Sequence, residues 1–212
     1  MQRTNVARAG FLAGVAAFGF VLTFDIVQFM QLLGWLHFPL DEILIYAASL
    51  CIVIPFMLEM LALHHVTELR YQYWTHAALL FTLLYAVFVV ANYVVQLATV
   101  IPAKISGAYE SVRLLDQAPH SLFWDFDAIA YIAMGLAMLV AIPALKGRGA
   151  ARWVRRAFIA HALTTPFIAV VYFYPGYSET LLLLGLPWAV TAPWAMLALA
   201  LYLAKRDIQR SS

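Results

Sequence analysis

The sequence predicts an all-α polytopic membrane protein: one domain of six transmembrane helices, with both termini in the cytoplasm. Three observations carry that expectation. Hydrophobic residues make up 65% of the chain against 11% charged, and they gather into six long stretches. Basic residues crowd to one side of those stretches. Tryptophans mark the stretch ends.

The stretches run over about 9–36, 43–65, 76–101, 123–145, 154–174 and 181–204. Each reaches the roughly 20 residues an α-helix needs to cross the hydrocarbon. Helices are the default because backbone polar groups in lipid must be paired within the segment. A barrel would show short segments of alternating polarity, and none occurs here.

Eleven of the 13 basic residues precede span one, follow span six, or lie between spans two and three or four and five. They are Arg3, Arg8, Arg70, Lys146, Arg148, Arg152, Arg155, Arg156, Lys205, Arg206 and Arg210. Only Lys104 and Arg113 fall on the other side, which predicts cytoplasmic termini. The acids lean outward, with Asp41, Glu42, Glu110, Asp116, Asp125 and Glu179 in or beside the opposite loops. The net charge of +2 is then a topology signal, and no nucleic-acid partner is expected. Trp35, Trp74, Trp124 and Trp153 sit at span ends, where aromatic rings anchor helices at the headgroups.

Span one carries Asp25 and Gln28, three apart and so on one helix face. Arg3 and Arg8 ahead of an apolar run also fit a signal peptide. The run outlasts the roughly 7–15 residues of a signal core and includes an acid, so span one is expected to stay. Gly10 and Gly14 form a small-x-x-x-small spacing too common to define a dimer.

Span two holds Pro55, Glu59, His64 and His65. It also holds the single cysteine, Cys51, which allows no internal disulfide and no cysteine zinc cluster. Span three begins near His76 and bears Tyr85, Asn92, Gln96 and Thr99 along one stripe. In the following loop, Ile105, Ala108, Tyr109, Val112 and Leu115 recur at helical spacing, which predicts a short interfacial helix over 103–116.

Span four carries Asp127, Tyr131, Met134 and Met138 on one stripe. Span five carries His161, Thr164, Thr165, Pro166 and Tyr172. Span six carries Pro187, Thr191, Pro193 and Trp194. Asp25 and Glu59 are as far apart along the chain as Asp127 and His161. The depths of the matching residues differ, so this spacing does not establish an inverted repeat of the transporter kind.

Ionisable side chains within a span are costly unless they face protein or water, so they form the candidate site. At about 1.5 Å of rise per residue they fall into two layers. The outer layer holds Asp25, Gln28, Asn92, Gln96, Asp127 and Tyr131. The inner layer holds Glu59, His64, His65, His76 and His161. Asn92 and Gln96 also suit plain helix-to-helix hydrogen bonding. Asp127 also suits the start of its helix, where the dipole favours negative charge.

Three chemistries fit the set. A proton relay could run from Asp25 to Glu59 and His161. A small amphipathic molecule could bind between the helices with the acids as partners. Haem could be held by His65 and His161, a reading with the least support, since histidines at matching depth arise easily by chance. No cofactor or resident metal is expected, and no His-Glu-x-x-His zinc motif is present. Mid-span Pro55, Pro166, Pro187 and Pro193 would free carbonyls of the kind used for coordination in broken helices.

The chain lacks a Gly-x-Ser-x-Gly elbow and any phosphate-binding glycine loop. A retinal Schiff base would need a buried lysine, and Lys104, Lys146 and Lys205 all lie outside the spans.

The segment Asn92-Tyr93-x-x-Gln96, Pro102, then Phe123-Trp124-x-x-Asp127-x-x-x-Tyr131-x-x-Met134-x-Leu136-Ala137 resembles a bacterial six-span membrane family of unknown function. The resemblance covers roughly residues 84–174. It implies six spans and a bacterial inner-membrane location, and it brings no activity, cofactor or catalytic residue.

The leading expectation is binding or transport of a small amphipathic molecule in a polar interior, coupled to protonation of Asp25 or Glu59. One alternative is a membrane-embedded enzyme on a lipid-like substrate, with Glu59 and His161 as an acid–base pair. The other is a structural or assembly subunit with a tightly filled interior.

Overall fold

A computed structural model describes the backbone of residues 2–211, and side chains at 5–178 and 180–206. The side chains of Arg3, Glu179 and Arg210, used in the charge reading above, lie outside the described residues. Among the described residues the chain is all helical. The helices are α1 Gln2–Leu32, α2 Leu40–Val66, α3 Gln72–Val95, α4 Ile101–Ser106, α5 Leu122–Ala141, α6 Ala150–Ala162, α7 Thr165–Phe173, α8 Glu179–Leu182 and α9 Leu186–Ser211.

Six helical segments are long and apolar enough to cross a membrane: Asn5–Leu32, Leu40–Val66, Leu69–Ser106, Leu122–Ala144, Ala150–Phe173 and Thr180–Arg206. Their outward faces are bare hydrocarbon, with Ile54 68% and Val190 69% exposed. Water would not tolerate that much contiguous apolar surface, whereas acyl chains match it. This is a multi-pass membrane protein whose exposed apolar faces contact the bilayer.

The spans close a ring in chain order. α1 packs on α2, α2 on α3, α3 on α5, α5 on α6 and α7, α6 on α9, and α9 back on α1. Because successive spans alternate direction, three of the connections gather at the end away from the termini, here called the distal end.

Small residues set the closest approaches. A Cβ at Gly10 would overlap Ala62 of α2 and crowd Leu203 of α9. One at Gly14 would overlap the Glu59 carboxyl and crowd Ala200. The Gly-x-x-x-Gly spacing therefore works inside the chain, letting α1 sink between α2 and α9. Gly135 of α5 does the same for Thr165 of α7.

Three helix irregularities shape the distal end. A π turn spans Gln96–Val100, just before Pro102, which has no N–H to continue the ladder. Span five breaks between α6 and α7 ahead of Pro166, and the Thr164 hydroxyl takes up the His161 carbonyl at 2.7 Å. Residues 103–116 do not form one helix. α4 ends at Gly107, whose φ of +77° suits a glycine, and two short 3-10 turns follow at Tyr109–Ser111 and Arg113–Leu115.

Electrostatics hold this loop down instead. Lys104 Nζ lies 3.2 Å from Glu42 and 3.1 Å from Asp116, and the Tyr109 hydroxyl donates to Asp116 at 2.8 Å. Trp124 also departs from the sequence expectation. Its ring is buried and its Nε1 donates to the Tyr172 carbonyl at 3.3 Å, so it pins α5 to α7 rather than facing headgroups. Trp35, Trp74 and Trp153 are exposed.

Candidate functional site

The site begins where α1, α5, α7 and α9 leave a gap near the distal end. Asp25 and Gln28 project from α1, Tyr131 from α5, Tyr172 from α7 and Trp188 from α9. Together they border a partly open cavity of about 240 Å³. That lies just under the roughly 300–1,000 Å³ of typical small-molecule pockets, so a headgroup fits better than a whole lipid.

The walls are mostly aromatic and fixed by one another. Tyr131 and Trp188 meet edge to face with centroids 5.0 Å apart, and Phe24 meets Trp188 at 5.6 Å. Near-perpendicular rings keep each other in place, a favoured arrangement for aromatic quadrupoles. Asp25 is the one Asp, Glu, Lys, Arg or His among the lining residues. Its Oδ1 is buried without a hydrogen-bond partner among the described residues.

The rim is different. Phe29, Leu32 and Leu186 border the same cavity yet are 61%, 60% and 53% exposed. The opening therefore faces the hydrocarbon side of the bundle. Gln28 leads the other way, donating to Gln31 Oε1 at 2.8 Å, while Gln31 donates to Asp41 Oδ2 at 2.8 Å. This amide chain links the cavity wall to the acidic start of α2.

The other predicted outer-layer residues lie deeper. Asp127 is buried and accepts hydrogen bonds from the hydroxyls of Tyr93 on α3 and Tyr172 on α7. It ties three spans together, and a crevice of about 10 Å³ beside it is too small for a ligand. Asn92 donates to the Phe123 carbonyl at 3.2 Å and to Gln117 at 3.0 Å. Gln96 donates to the Leu115 carbonyl at 2.8 Å and accepts from the Gln117 N–H at 3.2 Å. Both amides spend their hydrogen bonds fastening the 115–123 segment onto span three.

The inner layer does not assemble. Glu59 is fully enclosed, pressed against Gly14 and Ala200, and neither carboxyl oxygen has a hydrogen-bond partner among the described residues. His161 is fully buried elsewhere, with Nδ1 3.1 Å from the Thr191 hydroxyl and Nε2 without a hydrogen-bond partner among the described residues. Their neighbours on α9, Ala200 and Thr191, are about 13 Å apart at roughly 1.5 Å of rise per residue. The structure does not bring the two into hydrogen-bonding reach.

His65 is exposed and its Nδ1 donates to the Leu61 carbonyl at 2.9 Å. It shares no enclosure with His161. His64, His65 and His76 instead cluster near the other membrane face, with ring centroids 5.7 and 5.9 Å apart along the set. Among the described residues no three His, Cys, Asp or Glu side chains converge as a metal site.

Sequence reasoning passed over Trp188 and the wall role of Phe24. Trp188 follows Pro187 near the distal start of span six, four residues before Ala192 on the buried face, and that helical spacing was the available signal.

Compared with protein-family models, with curated proteins and with solved structures, the chain finds no match in any of the three.

Proposed function

We propose that the protein binds a small amphipathic molecule in the cavity beside Asp25 and carries it across or out of the membrane, with protonation of Asp25 as the coupled event. The setting in this reading is a bacterial inner membrane, with both termini and the basic loops in the cytoplasm and the cavity in the outer half of the bilayer. The charge asymmetry of the loops supports the orientation.

One observation carries the reading: an unpaired carboxyl in an aromatic-walled cavity whose mouth lies among exposed apolar side chains. An amphiphile matches both parts. Its polar head satisfies Asp25, and its tail leaves between Phe29, Leu32 and Leu186 without crossing water. A tightly filled assembly subunit would have no use for such a gap. Glu59 and His161, enclosed and apart, favour packing roles over acid–base chemistry on a lipid-like substrate.

The test uses the protein in lipid nanodiscs and a bromoalkanol, whose bromine quenches nearby indole emission. Saturable quenching is expected in the wild type and should vanish in Trp188→Phe. Non-saturable quenching equal in the two proteins rules the cavity out. In proteoliposomes loaded with a pH dye, addition of the same probe should release protons in the wild type and not in Asp25→Asn. Equal release from both removes Asp25 from the coupling.

A further inference from the structure

We infer that the cavity selects a cationic headgroup: its guest is a lipophilic amine or quaternary ammonium, bound as an ion pair with Asp25 inside an aromatic box. The inference rests on the amphiphile-binding reading and narrows its ligand class.

The argument starts from charge. Asp25 is a carboxyl group beside a cavity, and no Lys, Arg or His is among the residues that border it. At the distal end, Lys104 is already committed to Glu42 and Asp116. Asp25's neighbour Gln28 turns its amide to Gln31 rather than to the acid. Among the described residues nothing hydrogen-bonds the buried Oδ1. A buried acid left this way is best completed by a positive charge arriving from outside.

The walls point to the same class. Tyr131, Tyr172, Trp188 and Phe24 surround the space, and ring faces attract cations through their quadrupoles, most strongly when water is excluded. A ligand that needed only a hydroxyl partner would gain little from so many rings. An anionic head would meet the Asp25 carboxyl with no Lys, Arg or His among the lining residues to offset it. The distal loops add to this bias, since Asp41, Glu42, Glu110, Asp116 and Asp125 outnumber Lys104 and Arg113 among the described residues there. That excess would concentrate cations at the distal membrane surface. The exposed rim of Phe29, Leu32 and Leu186 then requires the cation to carry an alkyl or aryl tail.

The experiment compares three probes sharing a hexyl chain: hexyltrimethylammonium, hexanol and hexyl sulfate. Each is titrated against bromoalkanol quenching in nanodiscs, with wild type and Asp25→Asn in parallel. Membrane partitioning cancels in the ratio of wild-type to variant affinity for each probe. Melting curves of both proteins confirm equal folding. For the ammonium probe that ratio should be about tenfold or more, and for hexanol at least about threefold smaller. A second variant, Tyr131→Leu, which keeps the Trp188 reporter, should weaken the ammonium probe more than hexanol.

Equal ratios for all three probes, or preference for hexanol or hexyl sulfate, overturn the cation assignment while leaving an amphiphile site in place. Failure of every probe to displace the bromoalkanol overturns both readings. Should Asp25→Asn misfold, Asp25→Glu is the substitute. It must retain preference for the ammonium probe over hexanol, and loss of that preference in a folded Asp25→Glu protein counts against the ion pair.

Discussion

Asp25 and Glu59 are carboxyl groups within spans on neighbouring helices, and their surroundings could hardly differ more. Asp25 borders a cavity with aromatic walls and a way out to lipid. Glu59 is shut between Gly14 and Ala200 with no space beside it. Both have an oxygen without a hydrogen-bond partner among the described residues. In the proposed reading, an intramembrane acid can serve a guest only where its neighbours leave room. A buried acid in a filled seam costs stability and contacts no guest.

The largest effect expected from this contrast is at Gly14. Gly14→Val places methyl groups where the Glu59 carboxyl and Ala200 already lie, and should cost about 3 kcal/mol or more, at the upper end of core overpacking. Thermal unfolding in detergent would register it as a steep loss of folded protein. A variant that melts like the wild type would mean the seam around Glu59 has slack.

Next is Glu59 itself. Glu59→Met removes an unpartnered buried carboxyl for a side chain of similar length, and should raise stability by about 1–3 kcal/mol. Bromoalkanol quenching should be unchanged. If quenching is lost, Glu59 reaches the cavity and the contrast dissolves.

Asp25→Asn is expected to be milder for the fold and decisive for the ligand. Stability should move by less than about 1 kcal/mol, because the side chain is only partly buried and faces space rather than packing. Affinity for the ammonium probe should fall about tenfold, equivalent to about 1.4 kcal/mol. A stability loss as large as that of Gly14→Val would recast Asp25 as a structural residue.

The smallest effect belongs to Gly19→Ala on the same helix. Nothing lies within 4 Å of a Cβ there, so the change should stay within about 0.5 kcal/mol. It calibrates the other three melts in the same detergent.

The helical class was legible because six apolar runs have no other way to satisfy their backbone in lipid. The grouping of Asp25, Gln28 and Tyr131 was partly legible, since i,i+3 spacing puts the first two on one face. What separates Asp25 from Glu59 was not legible. The residues that enclose Glu59 come from α1 and α9, and Gly14 and Ala200 carry no mark along the chain of meeting there. The helix expected over 103–116 failed for a local reason, the left-handed Gly107, which apolar periodicity outweighed. Trp124 was assigned to the headgroups by its position at a span end, whereas its indole N–H found a carbonyl inside the bundle.

Tyr172 belongs to two places at once. Its ring borders the cavity, and its hydroxyl is one of the two that hold Asp127. It rides on α7, a nine-residue piece cut from the rest of span five ahead of Pro166. A guest that displaces the ring must therefore loosen the Asp127 junction and be felt by Tyr93 on the far helix. Under the proposed reading, a guest on one side of the bundle is thereby linked to span three through the short helix α7.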